Sequence, residues 1–349
     1  MTPRKTILPV FIPHEGCTHD CVFCDQHRIS GYAASSEGNA ANKETIENRI
    51  SNLIAAWKAE AGEGYNKPAE IAFYGGSFTA LPEQRQTDLL EAARPLLELN
   101  PLNSIRISTR PDCIDETIIA DLKAFGVRTV ELGAQSMSDD VLIASKRGHS
   151  AKDVIRASTM LKMAEFSLVL QIMTGLPCDT FDKSVYSAKQ IIGLKPDAVR
   201  VYPTVIVMGT KLHEMWLNGE YAEHSLDDAV SLCSVLYLMF ENAGIPVIRM
   251  GLNPSEALSG GDAVAGAYHP AFGGLVYSKV YFDEAAELLN GIEPRADVTI
   301  AVAKGRTSLI SGNRNSNIDA LKVRFGLRSL KIIETELVPG ERIRIWRSE

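Results

Sequence analysis

The chain alternates short apolar runs with longer stretches in which apolar residues recur every three or four positions. The runs fall at 7–13 (ILPVFIP), 70–74, 104–108, 129–132, 167–173, 198–202 and 247–250. Their length and content predict strands. Between them, Ile46, Ile50, Leu53, Ile54 and Trp57 share one helical face, as do Leu89, Leu90, Ala93, Leu96 and Leu97, and then Ile118, Ile119, Leu122 and Phe125. Further helices are expected near 138–145, 151–165, 181–192 and 226–242. Strands that alternate with helices form parallel βαβ units. Seven such runs predict an α/β fold, a complete or partial (β/α) barrel, with an open doubly wound sheet as the competing arrangement.

The pattern loosens after Gly251, where GLNPSEALSGGDAVAGAYHPAFGG is rich in Gly, Ala and Pro. A boundary is expected there, giving a core domain over 1–255 and a small C-terminal α+β domain over 256–349. The second domain would hold helices near 283–289 and 318–325 and strands near 297–302 and 341–346.

Composition adds little until it is resolved along the chain. Net charge is −7, with 45% apolar and 23% charged residues, as in an ordinary globular enzyme. Residues 300–349, however, carry +5, leaving −12 on the remainder. The basic run 304–317 contains Lys304, Arg306 and Arg314 without interleaved aromatics, so it fits a phosphate contact or an ordinary surface loop. The first residues lack the long apolar core of a secretion signal, and no apolar stretch approaches the ~20 residues that span a bilayer. The expectation is a cytoplasmic protein in a reducing compartment, without membrane contact.

Six cysteines are too few for a disulfide framework. Three of them, Cys17, Cys21 and Cys24, cluster as C-x3-C-x2-C in HEGCTHDCVFCDQ. Thiolates suit an iron–sulfur cluster or zinc. Three could each hold one iron of a four-iron cubane, leaving a corner open to a ligand, much as catalytic metals keep one position free. A zinc site completed by His14, His19 or His27 is the alternative. Cys113, Cys178 and Cys233 are scattered and read as ordinary thiols.

The later runs end in distinctive segments: FYGGSF at 73–78, STRPD at 108–112, ELGAQS at 131–136, RGH at 147–149, Gln171 with TGLP at 174–177, and RVYP at 200–203. Polar groups at the C-terminal ends of successive parallel strands are how barrel enzymes build active sites.

The cysteine loop directly after the first strand resembles the signature of the radical S-adenosylmethionine (SAM) superfamily. The ordered set TRPD, ELGAQS, RGH, GLP and YPTVIVMGTKL is similar to the radical SAM domain of the Elongator catalytic subunit and its shorter bacterial relatives, over roughly residues 7–250. The segment YHPAFG at 268–273 also resembles those relatives. The resemblance implies a partial (β/α) barrel of the radical SAM type, with a [4Fe–4S] cluster on Cys17, Cys21 and Cys24. The open iron chelates SAM, an electron through the cluster cleaves the sulfonium, and the deoxyadenosyl radical abstracts hydrogen from a substrate.

By the same resemblance Phe23 fills an aromatic position, Gly75 and Gly76 meet the methionine amino group, and Ser77 stands where relatives carry Glu or Thr. Gln135 and Arg147 contact the ribose or carboxylate, and Gln171 lies near the ribose. Ser108 occupies a position where many relatives have Glu. The implied substrate is RNA, tRNA foremost, and the implied electron donor is a flavodoxin or ferredoxin. No acyl-CoA-binding turn is recognisable, so acetyl transfer is not expected. A small metabolite or tetrapyrrole substrate, and a zinc- or cluster-bearing binding protein without turnover, remain the rival readings; no catalytic residue is singled out.

Overall fold

The computed structural model describes residues 5–17, 19–30, 45–61 and 67–347. Seven strands form the main sheet: β1 (Thr6–Phe11), β2 (Ala69–Tyr74), β3 (Ser104–Thr109), β4 (Val127–Gln135), β5 (Ser167–Thr174), β6 (Ala198–Pro203) and, after the short β7 (Val205–Val207), β8 (Val247–Met250). Their spatial order is β1-β2-β3-β4-β5-β6-β8, and every neighbouring pair is parallel. Order in space follows order in sequence. A doubly wound sheet would reverse order at a switch point, so the sheet is a curled partial barrel with β1 and β8 as its edges.

Each strand's alternation sorts its side chains between two environments. One face carries Ile71, Phe73, Ile105, Ile107, Val130, Leu132, Leu168, Leu170, Val199 and Val201, all buried. Helices such as Ile46–Ala61, Glu83–Leu99 and Ala151–Met163 bury apolar stripes of their own. The other face carries Glu70, Ser104, Arg106, Thr129, Glu131, Gln171 and Arg200, which hydrogen-bond to one another. Neighbouring residues in a strand point to opposite faces, so the barrel has an apolar outside and a polar inside.

The Gly- and Pro-rich stretch read as a boundary holds a further strand, β9 (Ala263–Gly266), paired antiparallel with β7. The chain divides into two compact units: Met1–Leu226 with Met239–Pro270, and Asp227–Leu238 with Ala271–Glu349. The second unit sets β10 (Asp297–Val302) between parallel β11 (Ser329–Glu334) and antiparallel β12 (Ile343–Arg347). Val298, Ile300, Val302 and Ile343 pack with Tyr281, Leu289, Ile310, Leu321 and Leu327 into its core. The helix expected over 283–289 is the end of a longer one, Phe272–Leu288. In the basic run, Lys304, Arg306 and Arg314 are exposed, while Asn317 is structural, donating from Nδ2 to Ser278 Oγ at 2.9 Å. Among the described residues no helix is long and apolar enough to cross a membrane.

Candidate active site

The parallel strands of the first unit open onto a cavity of about 820 Å³, the size of small-molecule sites in general. Its wall carries Cys17, Cys21, Phe23 and Cys24 from the loop after β1, and Gly75, Gly76 and Ser77 after β2. Gln135 at the end of β4, Arg147 beyond it and Gln171 on β5 complete the set singled out in the sequence.

The cysteine loop is held by backbone. Ile12 N–H donates to Tyr74 O at 2.8 Å, His14 N–H to Gly75 O at 2.9 Å, and Ser77 N–H to Glu15 O at 3.0 Å. The two chains then come too close for side chains. A Cβ on Gly76 would lie 2.3 Å from Glu15 O and 2.7 Å from Ile12 O, and one on Gly16 would lie 2.3 Å from Ser77 O. The paired glycine is therefore needed to dock the loop, and docking sets Cys17 Sγ 3.9 Å from Ser77 Oγ. Cys24 Sγ accepts from Gln26 Nε2 at 3.4 Å.

Arg147 reaches the loop from the other side. Its Nη1 donates to Cys21 Sγ at 3.2 Å and its Nη2 to Gly133 O at 2.8 Å. The segment that presents it is fixed at both ends. Arg147 N–H donates to Leu142 O, and Ser150 with Asp153 forms a capping box on the following helix. Gln135 sits where the β4–β5 register shifts, with φ 62°, a left-handed conformation that costs a non-glycine residue on the order of 1–3 kcal/mol. The twist turns its amide into the cavity, and its Oε1 is buried without a hydrogen-bond partner among the described residues, as is Nε of Arg147.

Burial raises the Cys17 thiol above its usual range and pushes Cys24, with Cys21 nearby, up to about 12. Such thiols keep their protons until a cation displaces them. Among the described residues no three His, Cys, Asp or Glu side chains gather where one ion could bind. His14, one imagined zinc ligand, has Nε2 accepting from Gln26 N–H at 2.9 Å. His19 is packed against Gly148, and the side chain of His27 lies outside the described residues. Three free thiols bordering one cavity are the donor type that iron–sulfur clusters take. A buried orphan acceptor on Gln135 and an orphan donor on Arg147 suit a polar ligand beside it.

Other motif residues serve the scaffold. Arg110 makes two 3.0 Å bonds to Asp112. His149 is buried with Nε2 3.1 Å from Ala134 O, and burial followed by the Arg147 charge lowers its pKa to about 4.

The polar interior contains groups that sequence reasoning gave no role. Glu131 is fully buried, and its Oε1 accepts from Arg106 Nη1 at 2.6 Å, Arg200 Nη2 at 2.9 Å and Tyr74 OH at 3.3 Å. Its Oε2 accepts from Gln171 Nε2 at 2.9 Å. Glu131 is the register partner of Ser108, so a carboxylate stands one strand away from the position where relatives carry Glu. Arg106 Nε also donates to Glu70 Oε2 at 2.6 Å. The available signal was polar residues at every second position of apolar strands.

Comparison with known proteins agrees with this geometry. Residues 11–185 match the model of the radical SAM superfamily, and residues 196–281 match that of the Radical_SAM C-terminal domain. The tRNA uridine(34) acetyltransferase of Methanocaldococcus jannaschii is 34% identical over 258 residues, 65% of this chain and 48% of that one. Human Elongator complex protein 3 is 28% identical over 255 residues, 63% of this chain and 46% of that one. The chain thus spans about half the length of these relatives. Elp3 of Methanocaldococcus infernus superposes with a TM-score of 0.61 at 22% identity, over 82% of this chain and 64% of that one, a likeness of fold. With a family match over half its length, the cysteine loop and the parallel partial barrel beneath it, the chain belongs to the radical SAM superfamily, whose enzymes use a [4Fe–4S] cluster and SAM.

Proposed function

We propose that this protein modifies RNA, tRNA foremost, by hydrogen abstraction begun at the cavity of the first unit. The observation that carries the reading is one shared wall. The thiols of Cys17, Cys21 and Cys24 border the same cavity as Gly75, Gly76, Ser77, Gln135, Arg147 and Gln171. In this reading the three cysteines hold the cluster and the other residues, with Phe23, form the SAM pocket. When bound, the pair supplies a one-electron cleavage of the sulfonium and a carbon radical able to abstract hydrogen.

The chain's own groups bind and orient. Arg147 places a positive charge against Cys21 and holds its sulfur by a hydrogen bond. Gln135 offers a fixed acceptor to a ribose hydroxyl or an ammonium. Gln171 is locked by Glu131 and presents its amide edge without freedom to turn. A flavodoxin or ferredoxin serves as reductant, and the setting is the cytoplasm. The 1–255 and 256–349 division assigns the chemistry to the first part and leaves exposed Arg306 and Arg314 for phosphate contact.

The tRNA assignment is supported by what the archaeal relative is named for acting on. The test is anaerobic incubation of reconstituted, reduced protein with SAM, alone, with tRNA, and with a metabolite extract containing tetrapyrroles. Deoxyadenosine release stimulated by tRNA, with a mass change in its nucleosides, supports the reading. Release stimulated only by the extract moves the substrate to a small molecule. Absence of deoxyadenosine in every arm removes the enzyme reading.

A further inference from the structure

Among the described residues the cavity is lined by five cationic side chains, Arg110, Arg147, Arg200, Lys211 and Arg249, against a single carboxylate, Asp20. Four of the five have an assigned partner. Arg110 pairs with Asp112, Arg147 binds Cys21 and Gly133, Arg200 pairs with Glu131, and Lys211 pairs with Glu214. Arg249 differs. Its Nε donates to Gly251 O at 2.9 Å, and among the described residues no carboxylate lies within ion-pair distance of its guanidinium.

Arg249 is also the register partner of Arg200 across β6 and β8. Like charges directly opposite on adjacent strands repel. Glu131, the carboxylate that holds Arg200, is already committed: its two oxygens accept from Arg106, Arg200, Tyr74 and Gln171. Arg200 Nε is itself buried with no partner among the described residues. Among the described residues, this corner of the cavity therefore presents two guanidinium groups with spare N–H donors, and the carboxylate buried behind Arg200 is already committed. Surplus positive charge in a concave site focuses its field on an anion.

We propose that Arg249, supported by Arg200, is a subsite for an anionic oxygen group of the substrate, a phosphate or a carboxylate. Guanidinium groups bind both in a planar, two-pronged manner. The subsite rests on the reading of this cavity as the substrate site. If the substrate is RNA, the group is a backbone phosphate, and the subsite would fix which nucleotide faces the cysteine loop.

The test uses the whole cluster-loaded protein without SAM, so it is separate from deoxyadenosine formation. The thermal midpoint is followed as sodium phosphate, sodium acetate, uridine 5′-monophosphate or uridine is added, with chloride holding ionic strength constant. The wild type is expected to gain about 2 °C or more with a bound anion. Arg249→Gln should lose that gain while keeping its midpoint in chloride within a few degrees, and Arg249→Lys should recover part of it. A gain with phosphate and the nucleotide but not uridine assigns a phosphoryl group; a gain with acetate assigns a carboxylate. No gain over chloride in the wild type, or an equal gain in Arg249→Gln, overturns the proposal. Deoxyadenosine assays can fail or succeed independently of that result.

Discussion

Arg147 Nη1 lies 3.2 Å from Cys21 Sγ, and the two residues are 126 positions apart in the chain. The bond ties the segment after β4 to the cysteine loop after β1 and sets a fixed positive charge against one of the three sulfurs. A hydrogen bond involving a charged group contributes roughly 1.5–3 kcal/mol. Removing it should favour the more oxidised state of a cluster on these sulfurs, because charge and hydrogen bonds at sulfur set the potential. Arg147→Met is expected to retain iron and to lower the reduction potential by ~60 mV or more, taking about 59 mV per 1.4 kcal/mol for one electron. An EPR-monitored redox titration that gives equal potentials for both proteins would show that the contact does not tune the cluster.

Gly76→Ala should undo the loop rather than adjust it. The new Cβ would sit 2.3 Å from Glu15 O and 2.7 Å from Ile12 O. Both are backbone atoms, which cannot swing aside as a long side chain can. Overpacking of this kind costs about 1–3 kcal/mol, and here the loss falls on the loop that carries the cysteines. Iron per chain after reconstitution should drop at least twofold, and the urea midpoint should fall. Gly193→Ala is the matched control. It lies in the helix Phe181–Leu194, and beyond the helix's own backbone and its chain neighbours no described atom comes within 4 Å of the added carbon, so it should leave iron unchanged and raise stability slightly.

The strands and the cysteine loop were legible because both are local signals. Apolar runs bounded by polar segments marked all seven barrel strands, and C-x3-C-x2-C needs only eight residues. The strand pattern alone left barrel and doubly wound sheet open, since both are built from the same βαβ units and differ only in long-range pairing; the motif resemblance implied the partial barrel, which is the arrangement observed. Strands β7 (VIV) and β9 (AVAG) were missed because three or four residues, glycine included, carry no periodicity. Strand β11 (SLKIIE) was missed because Ile333 breaks its alternation. The polar floor was hidden by separation: Arg106 and Glu131 are 25 residues apart, and Tyr74 and Arg200 are 126 apart. Each alone is an ordinary strand residue, and only the curl of the sheet makes them one network.

That network predicts a large penalty for neutralising its centre. Glu131→Gln keeps the shape but removes the charge that holds Arg106 and Arg200. Breaking a buried ion pair from one side costs roughly 3–5 kcal/mol, because the partners are left charged without compensation. Urea unfolding should show this loss with an unchanged m-value. A double variant, Glu131→Gln with Arg200→Met, should recover part of it, since one stranded cation is gone. A Glu131→Gln protein as stable as the wild type would mean that water already carries the charge of the two arginines.

Acid should destabilise the first unit in two stages. His149 is buried and neutral, with its pKa lowered from 6.5 to about 4, first by burial and then by the Arg147 charge. The unfolded chain therefore binds a proton between those values that the folded chain refuses, and stability falls as pH drops from about 6.5 toward 4. Glu70 acts lower on the scale. Burial works against its carboxylate, yet Arg106, Ser104 and Lys5 hold its pKa below the ordinary value of 4.5. Its contribution is complete above that value and disappears as pH falls through the depressed one. His149→Gln can keep a donor toward Ala134 O while removing the titration. Urea midpoints measured from pH 7 to pH 4 should decline less steeply in this variant than in the wild type, and the two curves should run parallel below about pH 4, where Glu70 takes over. Parallel curves over the whole range would place the acid sensitivity elsewhere in the barrel.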